Sequence, residues 1–561
     1  MTTRRVMGIE TEYGVLQPGH PMANPMLLSS HVVAAHAVVA DEADSSARGA
    51  TRRTRARWDY DDEDPLHDAR GFRLQRASAH PSLLTDDPVL PAPSGDALQA
   101  LARPTVEEYE DPGAANVILT NGSRLYVDHA HPEYSSPEVT TPLDAVRWDR
   151  AGELVMLASV RALAQNPVLP DVALYKNNVD GKGATYGTHE NYMVDRAVPF
   201  TVLAERLTAF LVTRQVFTGA GRVGLGQHGQ APGFQLSQRA DYIEAEVGLE
   251  TTLRRPIVNT RDEPHADPER WRRLHLIIGD ANLLEVATYL KLGTTSLVLW
   301  VIEHAAELPG LVSRLDRLAL RDPVEAVHVV SHDLALTARL PLADGRQVTA
   351  LEIQQTYLDV VCEALATVDP QDDAEGARQT ADVVARWGSL LGRLATDPTT
   401  CVREVEWLAK LRLLDRMRRR DQLAWDHPQL SAVDLQWSDV RPERGLYQRL
   451  RAAGAVEVLV GDAEVERAVG HPPDDTRAYF RGETMARYGR NVSAMSWDSV
   501  VFDVPGAPTL QRVPMRDPWR GTRAHVGPLL DRCPDAAALL AELGGGRVAG
   551  RPQVPPEQGL G

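Results

Sequence analysis

Charged residues inside strand-like stretches constrain the fold of this chain more than any other feature of its sequence. Side chains of a β-strand alternate between its two faces with a period of two. In residues 8–14, which read GIETEYG, this period places Glu10 and Glu12 on the same face. Like charges on one strand face repel each other, so the stretch indicates a surface with a function beyond core packing.

The stretch at residues 124–128 repeats this pattern. Its apolar residues, Leu125 and Val127, are predicted to face the core. The opposite face then carries Arg124, Tyr126 and Asp128.

The second stretch leads on to Glu133, and two later stretches repeat the polar pattern. Glu133 follows Pro132 shortly after Asp128, and Glu190 lies in the sequence THENY at residues 188–192. In residues 272–276, Arg273 and His275 share one face of a predicted strand.

Converging carboxylates need a counter-charge. Clustered carboxylates would be costly in a dry site unless a hard divalent cation neutralised them. Mg²⁺ accepts such oxygen ligands, often together with nucleotide phosphates, and Arg124 and Arg273 are suited to offset phosphate charge. The alternative is a set of solvated strand faces with cross-strand ion pairs. Because four stretches repeat the pattern, it favours a metal–nucleotide site.

Composition narrows the function classes. The 561 residues carry a formal net charge of −17, which argues against general binding to nucleic acid or to an anionic membrane. The three cysteines, Cys362, Cys401 and Cys533, form no CxxC pair, so neither a disulfide framework nor a thiolate zinc site is indicated. No apolar run approaches the length of a membrane helix or a signal peptide. These features predict a cytoplasmic protein.

Several catalytic motifs are absent from the sequence. The glycine-rich residues 219–226 are not followed by a helical pattern and are predicted to form a turn rather than a phosphate loop. Neither HExxH nor Gly-x-Ser-x-Gly occurs. If the protein hydrolyses an amide, the nucleophile or base is therefore expected to be a carboxylate or an activated water.

Strand and helix patterns alternate irregularly along the chain, which favours an α+β fold over a doubly wound sheet. The predicted organisation is a catalytic domain at residues 1–430, a small C-terminal domain at 431–545 and a disordered tail at 546–561. The catalytic domain contains a flexible charged insertion at about residues 41–112. Aromatic residues between Trp58 and Phe72 mark a part of this insertion that is suited to dock as a flap.

Longer motifs point to a known family. They include GIETEYG from residue 8, TNGSRLYVDHAHPEYSSPE from 120, LYKNNVDGKGATYGTHENYM from 174, RLHLIIGDANLLEVATYLKLGTTSLVL from 273 and TRAYFRGE from 476. In these motifs the chain closely resembles the Dop/PafA family of Pup deamidases and Pup ligases. The resemblance runs from Gly8 to about residue 526, except for the insertion. It implies a glutamine-synthetase-like catalytic domain, with a curved, largely antiparallel sheet forming a cradle packed by helices.

The resemblance also implies roles for individual residues. Positions that match family Mg²⁺ ligands, or further metal or site ligands, are Glu10, Tyr126, Glu133, Glu190 and His275. Positions that match family ATP contacts are Arg124, Ser135, Ser136, Arg273 and Trp497. Asp128 matches the essential aspartate, which serves as nucleophile or general base.

Within the family, the sequence favours the deamidase. The charged insertion and the motif DHAHPEYSSPE resemble those of the deamidases, and the ligases lack the insertion. The implied function is deamidation of the C-terminal Gln of Pup and cleavage of the isopeptide bond between Pup and substrate lysines, with Mg²⁺ and ATP bound as cofactors. A Pup ligase, a catalytically silent Pup-binding protein and a small-molecule carboxylate–amine ligase are the alternatives.

The implied partners are Pup and pupylated proteins, with a functional link to the bacterial proteasome. The protein is expected to be a monomer that binds neither nucleic acid nor membranes.

Overall fold

The computed structural model describes residues 2–48, 56–60, 63–75, 79, 116–181, 183–224 and 231–544. The predicted tail at 546–561 and most of the predicted insertion at 41–112 lie outside the described residues.

The strands, numbered in chain order, are β1 Met7–Glu12, β2 Gly14–Leu16, β3 Arg57–Trp58, β4 His67–Asp68, β5 Phe72–Arg73, β6 Asn116–Ile118, β7 Arg124–Asp128, β8 His131–Ser135, β9 Ala173–Tyr175, β10 Thr188–Asp195, β11 Arg222–Gly224, β12 Gly233–Gln235, β13 Ile243–Gly248, β14 Arg255–Asn259, β15 Trp271–Leu276, β16 Leu340–Pro341, β17 Gln347–Val348, β18 Val492–Met495, β19 Ser499–Phe502 and β20 Gln511–Pro514.

An eight-stranded sheet organises the catalytic part of the chain. Its order is β13-β14-β15-β10-β1-β8-β7-β6. Only the β13–β14 pair of this sheet is parallel, and the other neighbours are antiparallel. The tight connection between β6 and β7 contains Asn121 and Gly122, and Gly122 adopts a φ of 80°, a left-handed conformation that favours glycine. The predicted largely antiparallel sheet is confirmed.

The α-helices of the described chain are Pro25–Arg48, Pro142–Gln165, Phe200–Thr213, Gln215–Thr218, Glu285–Glu303, Pro309–Asp316, Pro323–His332, Ala350–Thr367, Ala374–Thr396, Glu406–Arg420, Pro428–Trp437, Leu446–Ala452, Asp462–Gly470, Ala478–Tyr488, Arg523–Arg532 and Ala536–Gly544. Short 3₁₀ turns occupy Ala240–Tyr242, Pro398–Cys401 and Gly489–Asn491.

The apolar face of the sheet packs against helices. Ile9, Tyr192 and Leu274 come from three adjacent strands and belong to one large buried cluster. The helix Pro142–Gln165 begins at a Thr141 cap, whose hydroxyl accepts from the Asp144 amide, and it packs on β1. The helix Glu285–Glu303 is apolar on nearly all sides and buried along almost its whole length, as expected for a central helix. These helices leave the other face of the sheet to polar residues.

A second, smaller apolar core lies in the C-terminal region. The helix Ala478–Tyr488 and the sheet β20-β19-β18-β3 contribute most of it. Trp58, from the predicted insertion, packs into this core, and its strand β3 pairs in parallel with β18. Leu430, Val460, Val465 and Ala468 belong instead to the large core of the catalytic part. The domain boundary at residue 431 stays a prediction, and the packing favours a boundary closer to Thr476.

The α+β class predicted from the sequence is confirmed, with two local corrections. The pattern from Val6 to Val15 predicts a single strand, but the strand divides at Tyr13, since β1 joins the large sheet and β2 pairs with β9. The apolar pattern from Met26 to Val39 predicts a helix, and the helix observed there runs from Pro25 to Arg48. Within the residues that the structure describes, no helix combines the length and apolar character needed to cross a bilayer.

Candidate active site

The register of four strands brings the polar residues onto one face. Glu10 on β1 faces His189 on β10 and Ser135 on β8, and Ser135 faces Arg124 on β7. Facing residues share a side of the sheet. All four side chains therefore lie on the polar face.

The next row of this face is more acidic. Glu12 on β1 faces Glu133 on β8, and Glu133 faces Tyr126 on β7. Asp128 lies two residues beyond Tyr126 and so points to the same face. The predicted convergence of Glu10, Glu133 and Asp128 on one surface is thus present in the tertiary structure.

Glu10, His189 and His275 form a first candidate metal cluster. Their potential ligand atoms lie within 4.8 Å of one another. Glu10 Oε2 is 3.2 Å from His189 Nδ1 and 3.9 Å from His275 Nε2. Burial acts to raise the pKa of Glu10, but His189 and Arg273 outweigh it, so the pKa is lowered. Among described residues, neither ring nitrogen of buried His275 has a hydrogen-bond partner, and a metal ion would satisfy one of them.

Glu12, Asp128 and Glu133 form the second cluster, again with ligand atoms within 4.8 Å of one another. Glu133 is buried, and burial together with Asp128, Glu10 and Glu12 raises its pKa well above the ordinary value. Tyr126 donates a hydrogen bond that only partly offsets this effect. A divalent cation would remove the repulsion among the three carboxylates, so the donor set fits a hard metal ion.

Asp128 ends β7 and reaches the surface of the site, with its side chain 35% exposed. Its Oδ1 lies 2.9 Å from Nδ1 of His129, a residue with a left-handed φ of 51°. Burial acts to raise the pKa of Asp128, but the His129 hydrogen bond and charge outweigh it and lower the pKa. The same hydrogen bond raises the pKa of His129. Asp128 is therefore an ionised carboxylate at neutral pH, as a nucleophile or general base requires.

A cleft that is open to solvent adjoins the first cluster. Its lining includes Gly8, Glu10, Ser135, Ser136, Glu138, Asn191, His265, Arg273, Arg477 and Trp497. Ser136 is held in place because its hydroxyl accepts from the Ile9 amide at 3.0 Å. The structure therefore brings four predicted ATP-contact residues, Ser135, Ser136, Arg273 and Trp497, to one cleft.

Arg124, the fifth predicted ATP contact, is not part of this lining. Its guanidinium lies 4.1 Å from the ring centroid of Trp58 and 3.8 Å from that of Tyr126. It also donates hydrogen bonds to Asn116 at 2.7 Å and Tyr60 at 2.6 Å. The aromatic part of the predicted insertion therefore docks directly on Arg124.

Glu190 does not join the metal clusters. It lies between His189 and Asn191 on β10 and so points to the opposite face of the sheet. There it is fully buried and accepts from Arg214 at 2.9 Å and from Tyr192 at 2.7 Å. This arrangement is a structural ion pair, and the expectation of Glu190 as a metal ligand is corrected.

His189 and Glu12 take part in the clusters although they were absent from the predicted site residues. The period of two had placed Glu12 beside Glu10. His189 and Glu190 are neighbours in the sequence and point to opposite faces of the sheet. The register of β10 against β1 shows which of the two lies on the polar face.

The profile of the family described as Pup-ligase protein matches residues 5–501. The chain belongs to the Pup-ligase protein family. Two relatives within this family cover nearly its whole length. "Depupylase" from Acidothermus cellulolyticus is 53% identical over 97% of this chain and 100% of the relative. "Pup deamidase/depupylase" from Mycobacterium tuberculosis is 52% identical over 96% of this chain and 99% of the relative.

Solved structures of the Pup-ligase family agree with the fold. A complex of Prokaryotic Ubiquitin-like Protein Pup with its ligase PafA matches with a TM-score of 0.70 at 29% identity, covering 94% of this chain and 91% of the other. The Pup ligase PafA in complex with ADP matches with a TM-score of 0.65 at 35% identity, covering 74% and 89%. Identity is thus higher with the two depupylases than with these ligases.

Proposed function

We propose that this chain is a Pup deamidase and depupylase. It hydrolyses the side-chain amide of the C-terminal Gln of Pup and the isopeptide bond between Pup and substrate lysines. The observation that carries the proposal is Asp128, an ionised carboxylate within 4.8 Å of Glu12 and Glu133 at the accessible end of the polar face. The names of the two relatives, at 52% and 53% identity, support hydrolysis over ligation.

The cofactor proposal is Mg²⁺ with ATP. Glu10, His189 and His275 would hold a metal ion at the cleft side of the face, and Glu12 and Glu133 would hold one beside Asp128. When bound there, the metal supplies positive charge that neutralises the carboxylates and polarises the target carbonyl. Tyr126 is proposed to orient Glu133 through its hydrogen bond rather than to bind metal directly.

ATP is proposed to occupy the open cleft beside the first cluster. Trp497 offers an aromatic face for the base, and Arg273 offers positive charge for phosphate. Arg124 lies outside the cleft lining, and it is proposed to hold Tyr126 and the docked segment around Trp58 and Tyr60 in position. A related ligase structure that holds ADP supports a nucleotide site in this fold.

Asp128 is proposed either to attack the amide carbon or to remove a proton from the attacking water. Both roles need the ionised form, which the His129 hydrogen bond favours. His129 has a raised pKa and sits beside Asp128, so it is also the proposed proton donor to the leaving amine. Amide hydrolysis runs downhill in water, so ATP need not be consumed in each turnover.

Incubation with Gln-ended Pup and ATP tests the proposal. Hydrolysis converts the terminal Gln to Glu, which changes the product mass by about one dalton, and leaves ATP intact. Stoichiometric ADP release with formation of a Pup–lysine conjugate would instead identify a ligase. Binding of Pup with neither change would identify a Pup-binding protein.

The cytoplasmic location stays a prediction from composition, and the monomeric state and the link to the bacterial proteasome stay predictions from the resemblance. The lack of nucleic-acid and membrane binding likewise stays a prediction from charge.

A further inference from the structure

Lysine is absent from the surface of the part of the chain that the structure describes. The sequence has four lysines among its 60 lysine and arginine residues. Three of them, Lys176, Lys291 and Lys410, lie in the described part, and each is 1% exposed. The fourth, Lys182, lies outside the described residues. Lysine is among the residue types that are least often buried, since burying its charge is costly. The burial of all three is therefore an unusual property of this fold.

Lys176, which follows β9 directly, is held by two carboxylates. Its Nζ donates to Asp149 at 2.6 Å and to Glu153 at 2.9 Å. Burial acts to lower the pKa of Lys176, but the two carboxylates outweigh it and raise the pKa. The amine is therefore protonated at neutral pH, and a protonated amine has no lone pair with which to attack a carbonyl carbon.

Lys291 lies inside the buried helix Glu285–Glu303. Its Nζ donates to the carbonyl oxygen of Asp280 at 2.8 Å and to Oδ1 of Asn282 at 3.0 Å. Burial lowers the pKa of Lys291, which by itself would make the amine more nucleophilic. Its protection from reagents therefore depends on the lack of access and not on its charge.

Lys410 is buried on the helix Glu406–Arg420. Its Nζ donates to the carbonyl oxygen of Gly221 at 2.7 Å and lies 3.0 Å from Oδ1 of Asp434. These partners come from segments far from Lys410 in the sequence. Withdrawing the amine would therefore break contacts between separate parts of the fold.

Arginines supply the positive charge that surface lysines supply in other proteins. Arg412 and Arg416, for example, are exposed on the same helix that buries Lys410. A guanidinium stays protonated in proteins and is not an acceptor for acyl groups under these conditions. The described surface therefore carries positive charge without presenting a lysine amine to an acyl-transfer enzyme.

We infer that the fold protects Lys176, Lys291 and Lys410 from conjugation to Pup. The folded chain is then exempt at these positions from the modification that it is proposed to remove. The importance of this protection rests on the proposed function, in which Pup is attached to substrate lysines.

The chemistry of conjugation explains why burial protects. A neutral Nζ forms a bond to the side-chain carbonyl carbon of the terminal Glu of Pup and loses a proton to a base. The oxygen that leaves this carbon departs in phosphate derived from ATP, which becomes ADP. Nζ must therefore reach a carbonyl carbon inside the site of another protein. The three buried amines reach that far only when the surrounding core opens, so conjugation there requires unfolding of the chain.

Chemical acetylation is the first test. All proteins carry Lys182→Arg, so that the three described lysines are the only ones left. They are treated with an N-hydroxysuccinimide ester of acetate and mapped by peptide mass. In the folded protein, acetylation at positions 176, 291 and 410 is expected to be at least about 10³-fold slower than at position 412 of the R412K variant, since less than about 10⁻³ of the molecules are unfolded. In urea the four positions should react alike. Similar rates in the folded protein would overturn the inference.

Conjugation itself is the second test. The Lys182→Arg protein also carries Asp128→Asn, so that its own proposed hydrolysis does not remove a conjugate, and it is incubated with a Pup ligase, Pup ending in Glu, and ATP. No conjugate is expected at positions 176, 291 and 410. Adding R412K and R416K, which place amines at exposed positions, is expected to produce conjugates at 412 or 416.

Two outcomes of the conjugation test would overturn the inference. One is a conjugate at position 176, 291 or 410 in the folded protein. The other is a lack of conjugates in the R412K and R416K variant, because burial would then not be what limits conjugation. Both outcomes leave the proposed function untouched, since the ligase is a separate protein and the Gln-ended Pup assay tests hydrolysis by this chain.

Discussion

Glu10 faces His189 across the β1–β10 pair, and 3.2 Å separates Glu10 Oε2 from His189 Nδ1. This contact exists because the antiparallel register turns His189, and not Glu190, toward the polar face. The pair lies between the cleft at one end of the face and Asp128 at the other. Its position explains how one sheet can present both the proposed nucleotide site and the proposed hydrolytic site.

Asp128→Asn is expected to lower kcat for Pup deamidation and for isopeptide cleavage by at least about 10³-fold, since the amide can neither attack nor accept a proton. The side chain is partly exposed, so the fold should be retained. ATP affinity, measured by titration calorimetry, is the control and should stay unchanged. Cleavage at more than a tenth of the wild-type rate would refute the role of Asp128.

Glu133→Gln is expected to have opposite effects with and without metal. Without metal, the change removes a buried carboxylate that Asp128, Glu10 and Glu12 repel, so the free energy of unfolding should rise by about 1 kcal/mol. Addition of Mg²⁺ should raise the melting temperature of Glu133→Gln less than it raises that of the wild type.

Melting curves in EDTA and in excess Mg²⁺ check the Glu133 prediction. Glu269→Gln, at an exposed position, is the matched control and should behave as the wild type. If Glu133→Gln leaves the Mg²⁺-induced shift at its full size, Glu133 does not hold metal.

Gly8→Leu is expected to block the nucleotide cleft. A Cβ atom at Gly8 would meet nothing closer than the Ser136 hydroxyl at 3.6 Å, so the strand accepts a side chain there. A leucine would then project into the cleft that Gly8 lines. Affinity for ATP should fall by at least about 100-fold, or about 3 kcal/mol, while Gly8→Ala should keep most of it. Tight ATP binding by Gly8→Leu would place the nucleotide elsewhere.

Glu190→Gln is expected to destabilise the protein by about 3 kcal/mol, because it leaves the buried Arg214 charge uncompensated. Metal affinity in the folded variant should be unchanged, since Glu190 lies on the opposite face of the sheet. Urea unfolding gives the first quantity and Mg²⁺ titration the second. A selective loss of metal affinity with normal stability would restore Glu190 as a ligand.

Glu138 is expected to make the protein sensitive to acid. Burial acts to raise its pKa, but Arg481 and Arg477 outweigh it and lower the pKa to about 2. A lowered pKa means that the contribution to stability is complete above the unfolded pKa of 4.5 and is lost as the pH falls toward 2. The shift corresponds to at most about 3 kcal/mol.

Urea unfolding of wild type and Glu138→Gln between pH 6 and pH 3 measures this contribution. The stability difference between the two proteins should shrink as the pH falls. A difference that is constant with pH would show that the Glu138 charge is not the cause.

Much of the site was predictable from the sequence. The period of two placed Glu10 beside Glu12, and Tyr126 beside Asp128, before any strand pairing was known. The alternation in residues 124–128 also predicted which side faces the core, and the resemblance to Pup enzymes predicted the fold.

Other features depended on contacts between distant segments. The docking of Trp58 and Tyr60 on Arg124 joins residues far apart in the chain. Composition marked the aromatic segment but not its partner. The smaller core likewise draws Trp58 together with residues from 479 onward, which moves the favoured domain boundary away from residue 431.

The sequence by itself determined which residues of each strand share a face, because backbone geometry makes alternate side chains point the same way. Only the tertiary structure decided which face of each strand meets which face of its neighbour. On β10 that choice separates His189, which meets Glu10, from Glu190, which meets Arg214. The physical reason is register, since a shift of one residue against β1 exchanges the two faces.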